Sequence, residues 1–73
     1  MSDIEPGVYV HYKGSRYLVL GVAEHSETGE KFVIYSPLYE SETQYWVRPA
    51  AMFAETVIVG GNRRPRFKKE MND

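Results

Sequence analysis

The sequence predicts an all-β domain of five short strands, with one helical turn before the last. Three observations carry that prediction. Short runs rich in Val, Ile, Tyr and Phe recur between Gly, Pro and Ser turn signals. Within several of them apolar and polar residues alternate, as a half-buried strand requires. A single stretch, Pro49-Ala50-Ala51-Met52-Phe53, reads as helical, because proline is pre-set for a first helical position.

The first strand runs Gly7-Val8-Tyr9-Val10-His11-Tyr12-Lys13, with Val8, Val10 and Tyr12 on one face and Tyr9, His11 and Lys13 on the other. Gly14-Ser15 makes a tight connection, since glycine accepts the positive φ of hairpin turns. The second strand, Arg16 to Glu24, is apolar on both faces, which predicts a central strand covered on both sides. Gly21 inside it marks a bulge of the kind that curls a sheet. His25-Ser26-Glu27-Thr28-Gly29-Glu30 is a polar loop, and Lys31 to Tyr35 is the third strand. Ser36-Pro37 breaks it, Leu38-Tyr39 continues extended, and Glu40-Ser41-Glu42-Thr43 is a turn. Gln44 to Arg48 is the fourth strand and Thr56 to Val59 the fifth, ended by Gly60-Gly61-Asn62. This order suits a small SH3-like β-barrel; an OB-fold is the runner-up and usually needs a longer chain. A small closed barrel has no interior cavity, so binding is expected on its outer surface and loops.

Seventy-three residues make one domain, taken as 1–67, with 68–73 expected to fray. There is no cysteine, which removes disulfides, thiolate metal sites and cysteine nucleophiles and favours a reducing compartment. No basic segment followed by an apolar stretch opens the chain, and no apolar run approaches the roughly 20 residues of a membrane span. The expected location is cytoplasmic, with no membrane contact. The net charge of −1 conceals an asymmetry: residues 1–62 carry four basic against eight acidic side chains, and residues 63–73 carry five against two.

Several of these elements resemble one bacterial family. Gly7-x-Tyr9-x-His11-Tyr12-Lys13-Gly14, Tyr17-x-Val19 and Ala23-x-His25-Ser26-Glu27-Thr28 match it in order. So do Tyr35-x-x-Leu38-Tyr39, Trp46-Val47-Arg48-Pro49, Met52-Phe53 and Pro65-Arg66-Phe67. The chain is similar, over nearly its whole length, to the domain of unknown function family 1653. The resemblance implies an SH3-like barrel and no established activity.

The residues offer three kinds of site. The first is a protein- or peptide-binding face built from exposed aromatics and Arg48, with Tyr39, Trp46, His25 and Glu27 as further contacts. Ten aromatics exceed what so thin a core needs, and exposed rings hold peptides, stack bases or cage cations. Alternation sets Arg48 on the strand face of Trp46, where a guanidinium grips carboxylate or phosphate bidentately; the competing reading is a salt bridge to Glu27 or Glu40. The second is a nucleic-acid accessory site in the basic segment Arg63, Arg64, Arg66, Phe67, Lys68 and Lys69, with Phe67 either stacking on a base or docking on the barrel. The third is a small-molecule site or enzyme around His25, Glu27, Tyr39 and Arg48. Adjacent residues such as His25, Ser26 and Glu27 seldom converge, and no nucleophile elbow accompanies them, so no catalytic residue is assigned. His11 and His25 stand outside any ligand-spaced cluster, so no metal or other cofactor is expected. A homodimer remains open, because a thin core with surplus apolar surface is relieved by self-association.

Overall fold

The computed structural model describes residues 4–70. The elements run β1 (Gly7–His11), β2 (Arg16–Glu24), β3 (Lys31–Pro37), β4 (Trp46–Pro49), α1 (Ala50–Phe53), β5 (Thr56–Val59), β6 (Asn62–Pro65) and β7 (Phe67–Lys69). The domain is all-β apart from the single helical turn. Five strands form one antiparallel sheet in the order β4-β3-β2-β1-β7, and β5 with β6 forms a separate two-stranded ribbon.

Four expectations need correction. The strands number seven rather than five, because Gly60-Gly61 does not end the chain's last strand. Both glycines take positive φ, 57° and 81°, which lets a two-residue link turn β5 back onto β6. The main sheet is also open, with β4 and β7 as its edges, rather than closed into a barrel. The boundary at residue 67 moves as well. Lys68 and Lys69 lie in β7, which pairs with β1 through Tyr9↔Lys69, Val10↔Lys68 and His11↔Phe67, and the Glu70 amide donates to the Val8 carbonyl. The remainder of the expected tail, 71–73, lies outside the described residues.

Local chemistry explains the rest. The Gly14 amide donates to the His11 carbonyl and the His11 amide to that of Ser15, closing the β1–β2 turn. The β2–β3 register slips between Val19 and Gly21, the bulge that the glycine signalled. Pro49 ends β4 and caps α1, whose Phe53 is buried.

The core is Tyr9, Tyr17, Val19, Val33, Tyr35, Phe53 and Phe67. Five of the seven are aromatic, so rings fill most of the interior. Phe53 and Phe67 stack in parallel at 4.2 Å, and Tyr17 meets Tyr35 edge-on at 5.4 Å. The expectation that β2 is covered on both sides fails. Tyr17 and Val19 face the core, while Leu18, Leu20 and Val22 stay 37%, 46% and 44% exposed. Leu18 lies on an uncovered strand face, and past the bulge Val22 turns to the side of Val33 yet stays exposed beyond the core. No helix among the described residues is long and apolar enough to cross a membrane.

Candidate functional site

The register of β4 decides where the aromatic and charged candidates point. Trp46 pairs with Tyr35 and Arg48 with Val33. Tyr35 and Val33 are buried, and directly opposed residues share a face. Trp46 and Arg48 therefore lie on the core-facing side of the sheet, both half-buried at its edge, while Val47 between them is 61% exposed on the other side.

Rings converge around this edge. Trp46 lies 6.0 Å from Tyr35, 6.1 Å from Tyr17 and 6.5 Å from Tyr39, centroid to centroid. Tyr39 is exposed, and its hydroxyl sits 3.3 Å from that of Tyr17. Burial raises the Tyr17 phenol above its ordinary value, and the Tyr39 hydroxyl adds to the rise. Ser15 and the Arg48 charge act the other way on Tyr17.

Arg48 is the chemical centre of the arrangement. Its Nε donates to the Tyr35 hydroxyl at 3.4 Å, and its guanidinium carbon stands 5.6 Å from the Phe67 ring centroid. The ion pairs among the described residues are Arg16–Glu70, Lys31–Glu24, Arg66–Glu55 and Lys69–Glu5, and Arg48 enters none of them. Neither Glu27 nor Glu40 neutralises it. Among the described residues the guanidinium uses only Nε, which leaves both terminal nitrogens for a planar acceptor.

His11 borders the same edge, a residue the sequence reading left out of the binding face. Its ring lies 4.9 Å from Phe67 and 6.5 Å from Tyr17. Burial holds its pKa below the usual 6.5, and the charges of Arg66, Arg48 and Lys13 push it lower still. Alternation in β1, which sets His11 on the side of Tyr9, was the available signal.

The other candidates fall elsewhere. His25 does not join Trp46 and Arg48. Its Nδ1 accepts the backbone N–H groups of Glu27 and Thr28, and its ring neighbours Phe32 in a shallow hollow with Ala23, Ile34 and Val47 on the opposite side of the sheet. Glu27 is exposed in that turn. The catalytic grouping of His25, Glu27, Tyr39 and Arg48 is thus split across two faces. In the basic segment, Phe67 is buried and presents no ring to a base. Arg66 pairs with Glu55 and Lys69 with Glu5, while Arg63, Arg64 and Lys68 are exposed and enter no ion pair among the described residues. Among the described residues, no three His, Asp or Glu side chains stand close enough together to hold a metal ion.

A family pattern described as "Protein of unknown function (DUF1653)" matches residues 7–69. The chain belongs to that family. A crystal structure of a DUF1653 protein from Bordetella bronchiseptica is similar to it throughout, at 39% identity and a TM-score of 0.83 over 97% of this chain and 96% of that one. Among curated proteins none matches. DUF1653 thus names a shared fold and sequence pattern, and the chemistry of its edge has to be argued from the residues. What the geometry offers at that edge is a guanidinium held against Tyr35 and Phe67, near Trp46, with no carboxylate partner among the described residues.

Proposed function

We propose that this DUF1653 domain is a binding module that receives a carboxylate-bearing peptide at the Tyr39–Trp46–Arg48 edge. One observation carries the reading. Arg48 is half-buried among rings, oriented by Tyr35 and Phe67, and without a carboxylate partner among the described residues. A guanidinium held in place loses little further freedom on binding, and its two terminal nitrogens match the two oxygens of a carboxylate. Tyr39 and Trp46 supply flat apolar contact for the residue beside that carboxylate. The reading is of a binder rather than a catalyst. His25 spends its Nδ1 on its own turn, and neither it nor Glu27 reaches Arg48's side of the sheet.

Selection from a random-peptide display library tests this, with wild type and Arg48→Ala immobilised in parallel. The expected result is enrichment of peptides with Asp, Glu or a free C-terminus next to an apolar residue, on wild type alone. A hydrogen-bonded charged contact contributes about 1.5–3 kcal/mol, so Arg48→Ala should weaken selected peptides roughly tenfold to a hundredfold. Enrichment of the same peptides on both proteins would refute the assignment.

A further inference from the structure

A second site lies round the corner from Arg48, where the β1–β2 turn meets the end of β6 and the start of β7. The Tyr12 amide donates to the Arg66 carbonyl at 2.9 Å and fixes the turn against that corner. Between them runs a groove of about 350 Å³ whose walls include His11, Tyr12, Arg64 and Lys68. Among the described residues no carboxylate lines it. Arg64 and Lys68 are exposed and outside every ion pair among the described residues. Lys13 adds a further cation, its ammonium 5.8 Å from the Tyr12 ring centroid.

We propose that this groove binds the phosphodiester backbone of single-stranded nucleic acid. Cations along a narrow channel beside aromatic rings are the combination that tracks phosphates and receives bases. The charge distribution favours a single strand over broader anionic partners. The first 62 residues carry eight acidic against four basic side chains, so a duplex or an anionic lipid surface would press against an acidic body. A single strand can follow the groove alone. The groove touches the border of the Arg48 edge at His11 but is lined by neither Arg48, Trp46 nor Tyr39. Phe67, buried in the core, takes no part in it as a stacking platform.

The test is fluorescence anisotropy with a labelled oligothymidylate and an oligoadenylate RNA. Wild type, the double variant Arg64→Gln/Lys68→Gln and Arg48→Ala are titrated at about 50 and about 200 mM salt, and amide NMR maps the contact. Each phosphate contact on a single strand contributes about 0.7 to the salt slope. Three contacts, from Lys13, Arg64 and Lys68, predict roughly a 20-fold loss of affinity over that fourfold salt range, and the one contact left in the double variant predicts roughly a threefold loss. Amide shifts should fall on Val10–Gly14, Arg64 and Arg66–Lys68 and persist in Arg48→Ala, so failure here is distinguishable from failure of the peptide reading. The proposal is overturned by absence of binding at the lower salt, by an unchanged slope in the double variant, or by shifts confined to the Trp46 edge. It is equally overturned if inorganic phosphate alone reproduces the shifts at the same concentration, or if phosphatidylserine vesicles bind more tightly than the oligonucleotides with the same dependence on Arg64 and Lys68.

Discussion

Truncating Phe67 probes how the last strand is held. Its ring is buried, stacks on Phe53 at 4.2 Å, meets Tyr17 and Tyr35 near 6 Å and carries the Arg48 guanidinium on its outer side. Removing a buried phenylalanine side chain costs about 3–5 kcal/mol. Small domains gain about 0.05–0.15 kcal/mol per residue, or roughly 4–11 kcal/mol for 73 residues, and a thin single core sits toward the bottom of that range. Phe67→Ala should therefore leave the domain largely unfolded at 25 °C. Phe67→Leu keeps an apolar side chain there and should cost about 1–2 kcal/mol, lowering the urea midpoint by about 1–2 M at a slope near 1 kcal/mol/M. Trp46, the sole tryptophan, reports both transitions by fluorescence because it packs within 6.1 Å of the core tyrosines. A cooperative Phe67→Ala transition within about 0.5 M of wild type would mean that Phe67 contributes nothing to the core, and the argument from its burial would be wrong.

Three further outcomes follow from the geometry. His11 should titrate below 6.5 by NMR, because burial and then Arg66, Arg48 and Lys13 disfavour its proton. The unfolded chain then binds that proton more readily, so His11 costs no stability above about pH 6.5, and stability falls as pH drops below it toward the folded pKa; Arg48→Ala should raise the His11 value, and an unchanged titration would remove Arg48 from its surroundings. His25→Ala removes the acceptor of the Glu27 and Thr28 amides, so those two amides should exchange faster while the response of Arg48 to peptides is unaffected; loss of peptide binding would return His25 to the site. Gly61→Ala forces a side chain onto φ 81°, costing about 1–2 kcal/mol, and should open the β5–β6 ribbon selectively, seen as faster amide exchange at Val57–Arg64 with the main sheet protected.

How much of this could be read from the sequence differs by element. Strands that bury one face announced themselves, because alternation is the trace that half-burial leaves: β1 through Tyr9, and β4 through Trp46 and Arg48. Gly21 was equally legible, since it imposes a backbone geometry of its own, whereas Pro49 marked the helical turn one residue early: it ends β4 and caps α1 instead of opening it. The ribbon β6 was hidden. Asn62-Arg63-Arg64-Pro65 is exposed throughout, so nothing in its polarity distinguishes strand from tail, and only the Gly60-Gly61 link signalled a return. β2 misled for the opposite reason. Leu18, Leu20 and Val22 gave the apolar pattern of a covered strand, yet apolarity records what a surface prefers and not whether anything covers it. The candidate site was half legible. Period-two alternation brought Arg48 to Trp46, but whether Glu27 or Glu40 neutralises the guanidinium depends on long-range placement that no local pattern encodes. The same gap separated His25 from Arg48 and set His11 beside it.

The most direct test of the peptide-binding account is an amide NMR titration of wild type, Arg48→Ala and Arg48→Lys with two peptide pools. One pool is rich in Asp and Glu beside aliphatic residues, and the other carries Asn and Gln in their place. The account predicts wild-type shifts at Tyr35, Tyr39 and Trp46–Arg48 with the acidic pool only. Those shifts should be lost in Arg48→Ala and weakened in Arg48→Lys, which keeps the charge but not the fork. Equal shifts from both pools, or shifts that survive unchanged in Arg48→Ala, would contradict it.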